Sequence, residues 1–278
     1  MNASAPLVAN ARMYALDAHV ESLWARVFAR VADASGVALQ PFAYPPPAPL
    51  RDLWLRNDLG CVFICGYPWA TWDLTEALRP LPIAVPLFLA HRHESHPVYC
   101  TDIVVRTDSR IDSMADLHGK RFAYTTPESQ SGYQAPRRFF ADVAAASGGR
   151  WFSSVVGPLV TPRGVVDAVL SGTADVGPLD SYWHDLLRLH EPATAQHLRV
   201  IARTPLAPAP LLVCSAEVPS SLRSRLTDAF VALAGASDMK DVLGELALAG
   251  FRAVEAALYA QLVTLSRDAD KLGYYRLQ

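Results

Sequence analysis

Apolar and polar positions change period along this chain at short intervals. Leu7–Tyr14 is an apolar-rich run of strand type. His19–Asp33 then places Val20, Leu23, Trp24, Val27, Phe28 and Val31 on one helical face, and Gly36 closes that helix. Val37–Tyr44 reads as a strand, Pro45–Pro49 as a rigid extended turn, Leu50–Asn57 as a short helix and Gly60–Cys65 as a fully buried strand. Thr71–Leu78 reads as a helix and Ile83–Leu89 as a strand. The plan then repeats. Strands are predicted at Ile103–Arg106, Arg121–Tyr124, Phe152–Val156, Ala174–Gly177 and Leu198–Arg203. Helices are predicted at Gln134–Ala146, Thr161–Ser171 and Ser181–Leu189. Thr204–Pro210 is a proline-rich linker, Leu211–Ser215 a strand, and a helix capped by Ser220 runs to Ala234. Met239–Ala247 and Glu255–Ser266 complete the chain as helices.

Strand and helix alternating in this way is the signature of an α/β layer structure. Extended crossings near Ile103–Arg106 and Thr204–Pro210 divide it into two lobes flanking a cleft. Residues 1–102 with 205–278 form lobe 1, and residues 103–204 form lobe 2. The C-terminal helices are expected in lobe 1.

The chain has 278 residues, 51% hydrophobic and 19% charged, as in ordinary globular proteins. Its formal net charge of −2, without a basic stripe, argues against nucleic-acid binding. No apolar run reaches the length of a membrane span. The start, MNASAPLVANARMYAL, has no signal-peptide pattern, so the chain as written reads as cytoplasmic, or as periplasmic if a signal has been removed. Cys61, Cys65, Cys100 and Cys214 lack zinc-like spacing and are expected as buried free thiols. His91, His93 and His96 are expected as solvated loop histidines. Neither a metal nor a cofactor is expected.

The candidate chemistry lies between Thr125 and Gly132, where a strand runs into a hydroxyl-rich turn that opens a helix. The first amides of a helix lack internal partners and carry partial positive charge, which suits a small oxyanion. Thr126, Ser129 and Ser131 add hydroxyls. Two serines followed by Gly132 exceed what one helix cap needs. Asp180, at a strand end before Ser181, fits a helix cap and a ligand acceptor equally well. His184, one turn on, reads as a packed helix histidine or a residue that reaches the ligand. Arg137 and Arg138 are expected on the solvated surface. Tyr14, Tyr67 and Trp69 follow predicted strands, where open α/β sheets place ligands, although core packing is the other reading. Lys120 lacks the phosphate-loop pattern, and no nucleophile elbow is present.

The segment IVVRTDSRIDSMADLHGKRFAYTTPESQSGYQAPR, followed by VDAVLSGTADVGPLDSYWHDLL and LRVIARTPLAPAPLLV, resembles the type II periplasmic solute-binding proteins. Within them it resembles the phosphate/phosphite/phosphonate group of ABC transporters. The resemblance covers nearly the whole chain. It implies an α/β fold of two lobes with a ligand cleft and two crossing strands as hinge. It implies that Ser129-Gln130-Ser131-Gly132, with Tyr133, holds the oxyanion, and that Asp180, with Tyr182 and His184 beyond it, approaches the remainder of the ligand. Tyr14, Tyr67 and Trp69 would line the cleft from lobe 1. The implied partners are a small oxyanion ligand and an ABC permease, with the chain a monomer and not an enzyme. Two other readings use the same fold. One is a thiamine-pyrimidine-precursor binding protein or synthase, in which Ser131, His184 and Asp180 would be nucleophile, base and orienter. The other is a sensor domain.

Overall fold

Two separate main sheets organise the protein, whose computed structural model describes residues 5–74, 78–93 and 95–278. In chain order the first part runs β1 (Leu7–Asn10), α1 (Ala18–Ser35), β2 (Leu39–Pro41), α2 (Leu50–Trp54), β3 (Leu59–Ile64), α3 (Gly66–Thr71) and β4 (Leu81–Phe88). After β5 (Val98–Tyr99) come β6 (Thr101–Arg106), β7 (Arg121–Ala123), α4 (Ala135–Ala146), β8 (Ser154–Val156), α5 (Pro162–Leu170), β9 (Val176–Asp180), α6 (Ser181–His190), α7 (Pro192–Ala195) and β10 (Leu198–Arg203). The rest is β11 (Ala207–Pro208), β12 (Leu211–Cys214), α8 (Ser220–Ala232), α9 (Lys240–Glu245), β13 (Leu248–Arg252) and α10 (Ala260–Lys271).

The first compact unit comprises Met1–Pro97 and Pro208–Ala257, and the second comprises Val98–Ala207 and Leu258–Gln278. In the first, six strands lie in the order β13-β4-β12-β3-β1-β2, with β1 parallel to β2 and β3. Helix α1 starts where the Asp17 carboxylate accepts from Val20 N at 2.8 Å, and it ends at left-handed Gly36. Its apolar face brings Trp24 edge-on to Phe63 at 5.0 Å, and Tyr14 meets the same ring at 5.0 Å. The second unit has five strands in the order β10-β6-β9-β7-β8, with β6 antiparallel to β9 and β10. Phe122, Phe140 and Phe152 form the centre of its core, with ring centroids 4.6–5.7 Å apart.

Several elements differ from the sequence reading, each for a local reason. Strand β1 stops at Asn10, whose side chain accepts from Arg12 N at 2.9 Å and turns the backbone into a 3₁₀ segment ending at Tyr14. A helix was expected at Thr71–Leu78, but α3 already starts at Gly66. Pro68 lies in its first turn, where a missing N–H costs nothing, and residues 75–77 lie outside the described residues. Ser220 opens α8 without capping it, since the cap position is Pro219. His93 is fully buried with its ring 5.1 Å from Phe88, so it is no solvated loop histidine. Strand β13 was not anticipated. The C-terminal helix falls in the second unit rather than with the first. All four cysteines are buried free thiols, as expected. Among the described residues no helix is long and apolar enough to cross a membrane.

Candidate ligand-binding site

Strand β7 delivers the chain to Tyr124 and Thr125 at one edge of a polar turn in the second unit. Five residues, Gln130–Gln134, then form a π turn that leads directly into α4. Its wide closure is visible in the bond from Gln134 N to Ser129 O at 3.0 Å. Ser129 caps the turn, its hydroxyl accepting from Gly132 N at 2.9 Å. Position 132 must be glycine. A Cβ there would overlap Thr125 Oγ1 and lie 2.9 Å from Ser129 Oγ and Thr125 Cβ.

Two strands hold the turn from below. Thr101 on β6 and Asp180 on β9 are register partners, so their side chains share one face of the sheet. The Thr101 hydroxyl donates to Ser131 O at 3.0 Å, and Ser131 Oγ lies 3.5 Å from Asp180 Oδ2. Asp180 Oδ1 accepts from Tyr182 N at 2.9 Å and Trp183 N at 3.1 Å, capping α6. One oxygen of Asp180 thus caps a helix while the other faces the turn. Two buried polar atoms at the turn, Thr125 Oγ1 and Gln130 Oε1, have no hydrogen-bond partner among the described residues. Such groups are costly to bury unpaired and mark a place where a polar partner fits.

The predicted residues Ser129, Gln130, Ser131, Gly132, Tyr133 and Asp180 therefore come together. Tyr133 is half-buried, its ring 5.3 Å from Tyr124. Tyr182 and His184 do not join them. Tyr182 is fully buried, with burial and then Asp180 and Asp185 pushing its hydroxyl pKa well up. His184 is packed beneath the opposite face of the sheet, where its Nδ1 lies 2.8 Å from Oδ2 of fully buried Asp102. Burial lowers the His184 pKa and outweighs the Asp102 contact, which favours the neutral imidazole. Asp102 also accepts from Arg203 Nε at 3.0 Å. The proposed Ser131–His184–Asp180 catalytic grouping is thus split across two faces of one sheet.

In the first unit, Tyr14 is packed in the core at 1% exposure, and Trp69 donates its indole N–H to Pro80 O at 2.9 Å. Tyr67, next to it, is half-buried. Arg138 pairs with Asp142 at 2.7 Å on the surface. Arg137, expected on the surface, is 3% exposed and holds the C-terminal segment. Sequence reasoning placed Thr125 at the start of the hydroxyl-rich turn without giving its side chain a role, and it missed Thr101, which nothing local marks. Among the described residues, no group of His, Cys, Asp and Glu could hold a metal ion.

No curated protein matches the sequence. Among solved structures, the binding component of an ABC phosphonate transporter from Pseudomonas aeruginosa (PA3383) superimposes with a TM-score of 0.72. The two are 19% identical, over 97% of both chains. PhnD1 from Prochlorococcus marinus, solved with methylphosphonate, gives a TM-score of 0.70 at 16% identity over 92% of this chain and 95% of that one. XAC2383 from Xanthomonas citri, solved with ATP, gives 0.64 at 19% identity over 98% and 99%. These likenesses establish the fold, that of type II periplasmic binding proteins. The sequence itself matches, over residues 14–259, the family described as ABC transporter, phosphonate, periplasmic substrate-binding protein. That span contains the whole π turn and both strands beneath it, and the chain belongs to this family of transporter substrate-binding proteins.

Proposed function

We propose that the protein captures a phosphorus oxyanion, a phosphonate or phosphate-like group, on the turn Ser129–Gly132. The observation that carries this reading is a buried turn opening a helix, with two buried polar atoms, Thr125 Oγ1 before it and Gln130 Oε1 within it, that have no partner among the described residues. Helix-start amides and hydroxyls donate to the oxyanion oxygens, and the helix dipole favours the negative charge. Asp180 Oδ2 accepts from a hydroxyl or ammonium group on the ligand. Membership of a transport family makes the captured molecule cargo for an ABC permease rather than a substrate for turnover. PhnD1 was solved with methylphosphonate, which makes that compound the first probe.

The test is isothermal titration with methylphosphonate, inorganic phosphate, sulfate and ATP on protein refolded free of carried-over ligand. Methylphosphonate or phosphate is expected to bind, and Ser131→Ala to weaken that binding by about 1–3 kcal/mol, the scale of one hydrogen bond to a charged group. Binding of ATP alone would assign the turn to a nucleotide phosphate. Unchanged affinity in Ser131→Ala would remove the turn from the site.

A further inference from the structure

Arg137 is the least expected residue in the second unit. It lies in α4, just beyond the π turn, and its whole guanidinium is consumed inside the protein. Nη1 donates to Asp270 Oδ1 at 2.7 Å and Tyr274 O at 2.9 Å. Nη2 donates to Ser266 Oγ at 2.6 Å and Ser266 O at 2.9 Å. Nε donates to Gln134 Oε1 at 3.1 Å, and Gln134 in turn donates from Nε2 to Pro127 O at 2.7 Å. One side chain therefore links the C-terminal helix and tail to the last residue of the π turn, and through it to the turn's outer loop. A second link is independent of the first. Leu277 N donates to the hydroxyl of Tyr133, the residue before Gln134, at 3.2 Å. The tail is itself anchored, with Gln278 O accepting from Trp151 N at 2.9 Å and Tyr274 packed in the core.

Ser266, Asp270, Tyr274 and Leu277 all lie in Leu258–Gln278, the segment that joins the second unit from the far end of the chain. This last segment grips the turn's two closing residues, Tyr133 through Leu277 N and Gln134 by way of Arg137. A π turn closes through i→i+5 bonds, one residue wider than those of an α-helix, and occurs only as a short, rare insertion. A turn of that kind keeps its amides aimed only if its ends are held.

We propose that Leu258–Gln278 is a positioning element for the oxyanion turn, acting through Arg137 and Tyr133 as positioning residues. This rests on the turn being the ligand site, but the hold on the turn can be tested without any ligand. Hydrogen–deuterium exchange of the full chain is compared with that of Tyr133→Phe, Arg137→Lys and Arg137→Met. A lysine cannot reach Gln134 and Ser266 together, so Arg137→Lys should behave like Arg137→Met. Amides of residues 130–134 are expected to exchange about tenfold faster or more, the scale of one lost hydrogen bond, while those of β6 and β9 keep their protection. Unchanged exchange in the turn overturns the proposal. So does acceleration spread equally into β6 and β9, which would mean a general loss of stability. Should Arg137→Met fail to fold, Tyr133→Phe decides, because it removes a single acceptor.

The same variants are then titrated with methylphosphonate and phosphate. A loosened turn is expected to weaken affinity about tenfold. Variants with a loosened turn that bind as tightly as the unaltered chain overturn the positioning role. If the unaltered chain binds neither anion, the functional reading falls, and the exchange measurement still decides whether the segment holds the turn.

Discussion

Gly132 shows how tightly the turn is drawn. Its missing Cβ leaves room for Thr125 and for the Ser129 hydroxyl that caps the turn. Gly132→Ala is expected to destabilise the protein by about 1–3 kcal/mol, the usual cost of overpacking. It should also abolish anion binding, because the turn must open to admit the methyl group. Wild-type melting and affinity in this variant would mean that the turn is looser than its geometry shows.

His184 makes a different prediction at the same scale. Its folded pKa is depressed, chiefly by burial, so the unfolded chain takes the proton first. The stability tied to the neutral imidazole is complete above the unfolded value of about 6.5 and is lost as pH falls through the lower folded value. Thermal unfolding between pH 7.5 and 5 should therefore show a fall on the acid side. That fall should shrink in His184→Gln, at a cost at pH 7 of about 1–3 kcal/mol from the broken Asp102 contact. An equal acid loss in both proteins would assign the transition to another group.

At the scale of elements, Asp180 joins β9 to α6 and serves both. Asp180→Ala removes the cap and should cost about 1–2 kcal/mol of stability. Asp180→Asn keeps an oxygen for Tyr182 N and Trp183 N but loses the charge facing Ser131. It should melt near the wild-type temperature while changing the preference among phosphonates that carry an ammonium group. If both variants melt alike and bind alike, Asp180 is a cap alone. The sequence offered both roles, and the structure shows the cap. The two carboxylate oxygens point to different partners, a fact that no spacing along the chain encodes.

Other elements were legible to the degree that their cause was local. Helix α1 followed from its apolar stripe and from Gly36, and β3 from the run around Cys61–Ile64. The hydroxyl turn was visible because serine and glycine cluster there. Thr101, which meets Ser131 across 30 positions, had no such signal. Arg137 meets Ser266 across 129 positions, and a helical arginine with no local partner reads as surface. Strand β13 was hidden because its apolar positions do not alternate cleanly around Gly250, whose backbone has a positive φ of 145°.

For the whole molecule, the α/β repeat and the family-like segment order were enough to anticipate the fold and the transport role. The path of the chain through its two units was harder to foresee, because it depends on where the last helix packs. That path has a consequence for biosynthesis. The ribosome delivers residues 98–207 as one stretch, and with them every strand of the second sheet. The guanidinium of Arg137 is then already made but has only Gln134 to bind, and its other partners must wait through the whole return of the chain from Pro208 to Ala257. Until Ser266, Asp270 and Tyr274 leave the exit tunnel, the nascent second unit carries an unpaired cation next to an unfinished core. The turn Gln130–Gln134 therefore gains its full set of supports only after residues 258–278 have been made.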